Sequence, residues 1–264
     1  MARIEYKYLI SKTVVEYFRE KISHYVELDR YSAIQPNHSY TVHSIYYDTP
    51  HLDFYYEKLA GIKRRKKLRI RTYNEYAKDS YVFLEIKRKN GAAISKTRAK
   101  VNYKDLALLM SSGDIKSYVP KNGGYNSIEN AQKFLYHVHK RNLKPIVLIS
   151  YEREAYFYKF YHGWRMTIDQ NLRSCMAGSS QSLYNGKDTV KSLPRHYILE
   201  IKGTGGMPGW LRYFIGTLNL KLAALSKYTI CIDSIVKIRR TKLNYSNINL
   251  NNGIFTNVTM NNKF

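Results

Sequence analysis

The chain has few cysteines and no long apolar run, and each shortage excludes a class of protein. Cys175 and Cys231 lie far apart in the sequence, so they form neither a disulfide framework nor a zinc site, and a reducing setting is expected. No apolar stretch approaches the ~20 residues of a membrane-spanning helix, and the N-terminus lacks the apolar core of a signal peptide. The sequence therefore predicts a soluble, cytoplasmic protein, with any peripheral contact at the inner face of a membrane made through a separate protein partner.

Acidic residues are also scarce. The 264 residues include 20 Asp and Glu against 44 Lys and Arg, a formal net charge of +24. Part of this excess is an ordinary solvated surface, but the remainder favours an anionic partner such as nucleic acid, a phospholipid surface or a phosphorylated small molecule. Charge alone does not choose among these three.

Several common catalytic motifs are missing. The sequence has no Gly-rich loop ending in Gly-Lys-Ser/Thr, and the glycines of 203–209 lack the spacing of a dinucleotide-binding loop. No nucleophilic triad is suggested. His137 and His139 lie two positions apart on a predicted helix and point in different directions, which disfavours metal binding there.

What the sequence does have is a repeated alternation of charged and apolar residues. Lys67, Arg69 and Arg71 share one face of a predicted strand, because successive strand side chains point to opposite faces. The same alternation, with an acid added, recurs in three other segments: Glu5 with Lys7, Glu85 with Lys87 and Lys89, and Glu200 with Lys202. Since apolar residues cover the opposite faces, we predict that the charged faces line an interior that holds a polyanion.

The element pattern predicts an α+β fold with about eight strands, at 3–10, 40–47, 64–74, 80–89, 93–101, 146–159, 163–170 and 196–203. Helices are expected from Thr13 to about Asp29, after Pro50, over 103–111, from Ser127 toward Asn142, around Trp210–Leu218, and over 227–239. Closing the antiparallel strands into an eight-stranded barrel with helices packed outside would remove exposed edges. We predict one domain over 1–240, a mobile stretch at 176–194, and a flexible Asn-rich tail over 241–264.

The charged residues favour phosphate chemistry. Guanidinium groups bind phosphate oxygens bidentately, so Arg69 and Arg71 are predicted phosphate ligands rather than simple cross-strand ion pairs. A carboxylate beside a phosphate, here Glu200, can hold Mg²⁺ or Mn²⁺. The alternative for Glu5, Glu85 and Glu200 is neutralisation of the neighbouring bases.

Other charged segments are less specific. The basic run over 63–66 is interpreted as solvated surface, with a nucleic-acid patch or a localisation signal as alternatives. Tyr151 with Arg153, and Arg165 with Thr167 and Asp169, share strand faces and are either site residues or cross-strand pairs. Ser226 and Lys227 begin a predicted helix, where hydroxyl, backbone N–H and ammonium groups can together hold a phosphate.

Together these motifs resemble the triphosphate tunnel metalloenzymes, and within them the polyphosphate-polymerase domain of the vacuolar transporter chaperone family, in its short bacterial form. The matching segments appear in family order: 3–8, 44–50, 67–73, 83–89, 150–154, 165–169, 199–202 and 225–228. The resemblance implies an eight-stranded antiparallel tunnel. It also implies metal-dependent transfer of the ATP γ-phosphate to a growing inorganic polyphosphate chain, with release of ADP.

The resemblance and the strand faces together define the predicted site. Predicted catalytic residues are Arg69, Arg71, Arg153 and Arg165. Predicted phosphate-binding or supporting residues are Lys7, Lys87, Lys96, Tyr151, Lys202, Ser226 and Lys227. Glu200 is the predicted ligand of Mn²⁺ or Mg²⁺, and Glu5 and Glu85 are further metal candidates.

The expected partners are ATP and inorganic polyphosphate, and nucleic acid is not expected. The chain shows no inositol-phosphate-sensing domain or membrane anchor, so regulation and translocation are expected of separate polypeptides. Two alternatives stay open: a tripolyphosphatase or nucleoside triphosphatase with the same tunnel, and a non-catalytic binder of polyphosphate or nucleic acid.

Overall fold

A computed structural model describes residues 3–91, 93–160, 163–186 and 188–245. Its centre is one antiparallel sheet. The strands are β1 (Arg3–Ser11), β2 (Val26–Leu28), β3 (Tyr40–Asp48), β4 (Arg64–Tyr73), β5 (Tyr81–Asn90), β6 (Ala93–Asn102), β7 (Lys144–Tyr158), β8 (Arg165–Met176), β9 (Val190–Lys191) and β10 (His196–Thr204). Eight of them follow the order β1-β10-β8-β7-β3-β4-β5-β6, while β2 pairs with β7 and β9 pairs with β8.

The predicted α+β class is confirmed, but the barrel is not closed by backbone pairing. The sheet curls into a half-barrel whose strand order ends at β1 and β6, and in the described residues no ladder joins these two strands. Long charged side chains reach across instead: the Lys87 Nζ atom on β5 lies 3.4 Å from the Glu5 carboxylate on β1. Inward-pointing charges of this kind protect open sheet edges from unwanted pairing.

Eight α-helices accompany the sheet in the described ranges: α1 (Lys12–Ile22), α2 (Arg30–Ala33), α3 (Asp53–Leu59), α4 (Leu106–Ser112), α5 (Ile115–Tyr118), α6 (Ser127–Lys140), α7 (Gly209–Thr217) and α8 (Lys227–Tyr245). The helix predicted to reach Asp29 ends at Ile22, because Val26 to Leu28 pair with β7 as a strand. The stretch predicted to be mobile contains a 3₁₀ turn, Ser180–Leu183, and β9.

The C-terminal boundary also differs from the sequence prediction. The last helix continues to Tyr245, beyond the predicted end at 239, and so includes the first five positions assigned to the tail. The rest of the predicted tail, 246–264, lies outside the described residues. The division into one domain and a tail therefore stays a prediction.

Two apolar layers cover the convex side of the sheet. Under α4 and α6, Leu68 and Ile70 pack with Phe134. Under α1 and α7, Leu199 packs with Phe18. Burial of this apolar surface stabilises the fold by roughly 25 cal/mol per Å².

One glycine is required by this packing. A Cβ atom at Gly203 would lie 2.1 Å from Cδ2 of Trp164. The indole therefore packs directly against the β10 backbone, and any other residue at this position would displace it.

A third apolar cluster lies on the concave side. Tyr228, Cys231, Ile232 and Ile235 of α8 pack with Tyr46, Val147, Ile149 and Tyr151 of β3 and β7. The rings of Tyr46 and Tyr228 stack with centroids 5.2 Å apart. Helix α8 therefore covers part of the concave surface, and its first turn lies beside the charged strand faces.

Candidate functional site

The strand register joins the charged faces of β1, β10 and β8 into one surface. Lys7 lies opposite Glu200, and Glu5 lies opposite Lys202. Across the next ladder, Glu200 lies opposite Thr167 and Lys202 opposite Arg165. Residues directly opposite each other point to the same face of a sheet, so these side chains share the concave side.

The strands β3 to β6 form the other half of the same surface. Arg69 lies between Tyr46 of β3 and Glu85 of β5, and Arg71 lies opposite Ser44. Lys87 lies between Lys67 and Lys96. The structure thus brings the residues of the predicted site to the concave side, with Ser226 and Lys227 supplied by the start of α8. Their roles as ligands stay predictions.

Glu85 organises three of the cations. It is 1% exposed and accepts bonds from Arg69 at 2.8 Å, Lys96 at 2.6 Å and Arg98 at 2.7 Å. Burial opposes its ionisation, yet the surrounding positive charges hold the pKa of Glu85 well below its ordinary value. Because these donors occupy both carboxylate oxygens, the geometry favours neutralisation for Glu85 over metal binding.

Asp169 likewise accepts hydrogen bonds from two other predicted phosphate ligands. Arg153 binds it bidentately, at 2.6 and 2.8 Å, and Lys227 also donates to it. Burial opposes ionisation, but Arg153 and Lys227 lower the pKa of Asp169 to about 2. Asp169 was not in the predicted set, although its alternation with Arg165 and Thr167 was the signal that could have placed it there.

Arg165 is held by a residue that the sequence motifs did not indicate. It donates to Asp29 at 2.8 Å, and Asp29 caps α2 through the backbone N–H groups of Tyr31 and Ser32. The Nε atom of Arg165 is buried and has no hydrogen-bond partner in the described residues. A buried donor without a partner is costly, so this position favours an acceptor supplied by a bound ligand.

Arg71 differs from these paired cations. It is only 6% exposed, and its hydrogen-bond acceptors are neutral: the Ser44 hydroxyl at 3.1 Å and the Tyr151 hydroxyl at 3.3 Å. Within the described residues no carboxylate lies in ion-pair distance of it. Glu85 attracts Arg71 only from beyond contact distance, and a buried charge without a contacting counter-ion is costly, so this position favours a bound anion.

A cavity of about 520 Å³ lies at one end of the concave side. Seven basic residues and one acid line it: Lys7, Lys58, Arg65, Lys66, Lys67, Lys87, Lys89 and Glu5. Burial lowers the pKa of Lys67 well below its ordinary value, and four neighbouring charges lower it further: Lys7, Lys87, Lys58 and Arg69. The cavity therefore holds more positive charge than its own acid balances, which suits a polyanion.

Several of these lining residues were missed by the sequence prediction. Lys67 had the signal, since it alternates with Arg69 and Arg71. Lys58 had none, because it comes from helix α3 and not from an alternating strand. In the basic run, Lys63 and Arg64 are exposed, as the surface interpretation expects, whereas Arg65 and Lys66 line the cavity.

The donor set around Glu200 fits a metal ion that is bound together with phosphate. Glu200 is 6% exposed and pairs with Lys202. Burial opposes its ionisation, but four nearby charges hold the pKa of Glu200 well below its ordinary value: Lys7, Lys202, Lys227 and Arg153. Opposite it, the buried Oγ1 atom of Thr167 has no hydrogen-bond partner in the described part of the chain.

The protein alone does not supply a complete metal site. In the described ranges no group of three or more His, Cys, Asp or Glu side chains is placed to hold a metal ion. Mg²⁺, however, commonly takes one or two carboxylates and completes its shell with water and substrate phosphates. One ionised carboxylate beside an unpartnered hydroxyl meets that requirement.

The comparison with protein families agrees with this geometry. The family model of the VTC domain matches residues 2–236, which is most of the chain. The chain belongs to the VTC-domain family. Membership in this family indicates a function related to polyphosphate in general.

No curated protein matches this VTC domain. Among the residues that the structure describes, no helix combines the length and the apolarity needed to cross a bilayer.

Proposed function

We propose that this VTC domain is a metal-dependent polyphosphate polymerase that transfers the γ-phosphate of ATP to a growing inorganic polyphosphate chain. The main support is the cavity of about 520 Å³, in which seven bases face a single acid. Such a site neutralises several phosphates at once. Family membership supports a polyphosphate-related role independently.

The transfer forms one P–O bond and breaks another. An oxygen of the terminal phosphate of the acceptor chain attacks the γ-phosphorus of ATP, and the bond from that phosphorus to the β–γ bridging oxygen breaks, releasing ADP. The attacking oxygen is already anionic, so a general base is not needed. Protein groups contribute mainly alignment and neutralisation of charge.

The arginines of the concave side are suited to this task. Arg69 and Arg153 lie on strands and are oriented by Glu85 and Asp169, so their guanidinium groups are held in place before substrate binds. Arg71 adds a third guanidinium whose charge is not offset by a carboxylate in contact with it. Preorganised donors of this kind stabilise charge on the transferring phosphoryl group.

We propose Glu200, supported by the Thr167 hydroxyl, as the residue that holds Mn²⁺ or Mg²⁺. When bound, the metal supplies neutralisation of the triphosphate charge. Lys7 and Lys202 lie opposite and beside Glu200 and would contact the same phosphates. The surrounding positive charges keep the Glu200 carboxylate ionised at neutral pH, so it can bind the metal ion.

The decisive experiment is incubation of the purified protein with ATP and Mn²⁺ or Mg²⁺, with the products resolved by ³¹P NMR. Internal-phosphate resonances that grow together with ADP are expected. Orthophosphate as the sole phosphate product would replace the proposal with hydrolysis at the same concave site. Unchanged ATP with both metals would count against catalysis and favour a binding role.

Two variants serve as controls for that experiment. Glu200→Gln should abolish product formation, whereas Lys133→Ala, which removes an exposed ion pair on α6, should not change it. A nucleic-acid binder would instead show steeply salt-dependent binding that is insensitive to Glu200→Gln.

A further inference from the structure

The β4–β5 hairpin carries like charges in direct opposition over three successive positions. Arg65 lies opposite Lys89, Lys66 opposite Arg88, and Lys67 opposite Lys87. Like charges placed directly opposite each other destabilise a sheet. The pairs of Arg65 and Lys67 face the concave cavity, whereas the Lys66–Arg88 pair belongs to the opposite face of the sheet. Lys66 reaches the rim of the concave cavity, but Arg88 does not line it, so the proposed active site does not explain this pair.

A second cavity, of about 320 Å³, lies at this outer face. Its lining includes six bases and one acid: Arg64, Arg65, Lys66, Arg88, Lys89, Arg141 and Glu57. We call this cavity the outer groove. Arg141 lies 3.7 Å from Glu57, a long ion pair, and stacks over the ring of Phe54 at 5.5 Å. The single acid therefore leaves most of the positive charge unbalanced.

The charges of the outer groove also affect their neighbours. Burial lowers the pKa of Lys66, and Arg141 and Arg88 lower it further. The pKa of His137 on α6 falls to about 4, through burial and then the charges of Lys66, Arg88, Arg141 and Lys140. The outer groove is therefore a half-buried surface with a positive electrostatic potential, as the concave cavity is.

The two cavities are contiguous. Arg65, Lys66 and Lys89 line both of them, so the end of the hairpin forms a rim with basic residues on each side. A linear polyanion that occupies the concave cavity meets no break in positive charge as it passes over this rim. Arg88 and Arg141 line only the outer groove, so a short phosphate chain held within the concave cavity does not contact them.

We propose that the outer groove is a second polyphosphate-binding site, which holds the part of a long chain that extends over the hairpin rim from the concave cavity. The proposal rests on the proposed function for its ligand. Joining two sites through one chain raises affinity by making the second contact intramolecular. Long-chain polyphosphate should therefore bind more tightly than tripolyphosphate, by about tenfold or more at fixed salt.

The test compares Arg88→Ser/Arg141→Ser with the unmodified protein. Neither residue lines the concave cavity. Isothermal titration with tripolyphosphate and with long-chain polyphosphate, at one ionic strength, should show unchanged affinity for the short ligand and loss of most of the length-dependent gain. The matched control is Lys104→Ser/Lys116→Ser, which removes the same charge from two exposed positions outside both cavities.

The outcomes separate this proposal from the proposed function. Loss of the gain only in the Arg88/Arg141 variant supports the outer groove even if the protein makes no polymer from ATP. Equal losses in both double variants would show a general charge effect and overturn the proposal. A gain that survives in the Arg88/Arg141 variant, or two tripolyphosphates bound with no gain for long chains, would overturn it as well. Thermal unfolding of the variant checks its fold. The unfolding temperature should stay close to that of the unmodified protein, because removal of like-charge contacts offsets the loss of the long Arg141–Glu57 ion pair and of the contact with Phe54.

Discussion

Lys67 donates a hydrogen bond of 2.6 Å to the hydroxyl of Ser226, and this contact joins the central basic strand to the start of α8. The same hydroxyl accepts a bond from the Thr229 backbone N–H at 3.4 Å, which is the pattern of a helix N-cap. Ser226 therefore has a structural role in addition to the phosphate contact expected from its motif. The two roles can be separated by substitution.

Ser226→Ala should lower the free energy of unfolding by about 1 kcal/mol, the usual effect of losing an N-cap. Ser226→Asp should restore that stability, because aspartate caps helices well and its carboxylate would pair with Lys67. It should nevertheless weaken tripolyphosphate binding more than Ser226→Ala does, since it adds a negative charge beside the cavity. Chemical denaturation and titration calorimetry measure the two effects, and tighter binding by the aspartate variant would contradict an anion site here.

Arg71 and Arg153 should respond differently to the same substitution. Arg71→Met removes a buried charge whose hydrogen-bond partners are neutral, so the free energy of unfolding should be unchanged or higher. Turnover of ATP should fall about 10²–10³-fold, as it does when a preorganised donor is removed from an active site. Arg153→Met instead takes a partner from the buried Asp169 carboxylate. Its free energy of unfolding should fall, by up to the about 3–5 kcal/mol seen when a buried ion pair loses one member.

Steady-state kinetics and denaturant unfolding of the two methionine variants provide the comparison. A stable Arg71→Met protein with full turnover would remove Arg71 from the site. Equal losses of unfolding free energy in the two variants would show that the ion pair between Arg153 and Asp169 does not make Arg153 more important for stability than Arg71.

Glu200→Gln should abolish turnover with Mn²⁺ and with Mg²⁺ but should not weaken metal-free binding of tripolyphosphate. The reason is that the carboxylate attracts the metal and repels the phosphates, so its neutralisation removes both effects. Calorimetric titrations with tripolyphosphate, with and without Mg²⁺, give the comparison. Glu152→Gln is the control, because Glu152 contacts Asn171 and Arg173 and not the cations that surround Glu200, which are Lys7, Lys202, Lys227 and Arg153. Metal-stimulated binding that persists in Glu200→Gln would assign the metal to other ligands.

The inward residues were predictable because the two-residue period of a strand assigns each side chain to a face without knowledge of the fold. Arg69, Arg71, Lys87 and Glu200 all follow from this rule. The contacts that orient them did not follow, since they depend on the register between strands that are distant in sequence. The pairing of Arg165 with Asp29, which are 136 positions apart, is of this kind.

Other features depend on how whole elements pack. Lys58 reaches the cavity from a helix, so no alternation marked it as a site residue. The periodicity of α1 continued in the sequence past Ile22, but pairing of Val26 to Leu28 with β7 ended the helix. Closure of the barrel depends on whether two edge strands meet, and the alternation of charges along each strand does not determine that.

Phosphate binding should be accompanied by proton uptake at alkaline pH. Burial lowers the pKa of Lys96 to about 7; the charge of Glu85 opposes this shift, and the charges of Arg69 and Arg98 add to it. A bound polyanion favours the charged ammonium and raises this pKa. Between the lowered pKa of the free protein and the ordinary value near 10.5, protons are therefore bound with the ligand, and affinity should fall as pH rises through this interval.

Titration calorimetry at pH values above about 8, in buffers of different ionisation enthalpy, measures the uptake. Lys96→Arg should lower the uptake, because arginine stays charged throughout this range. Net proton release on binding would contradict the lowered pKa of Lys96.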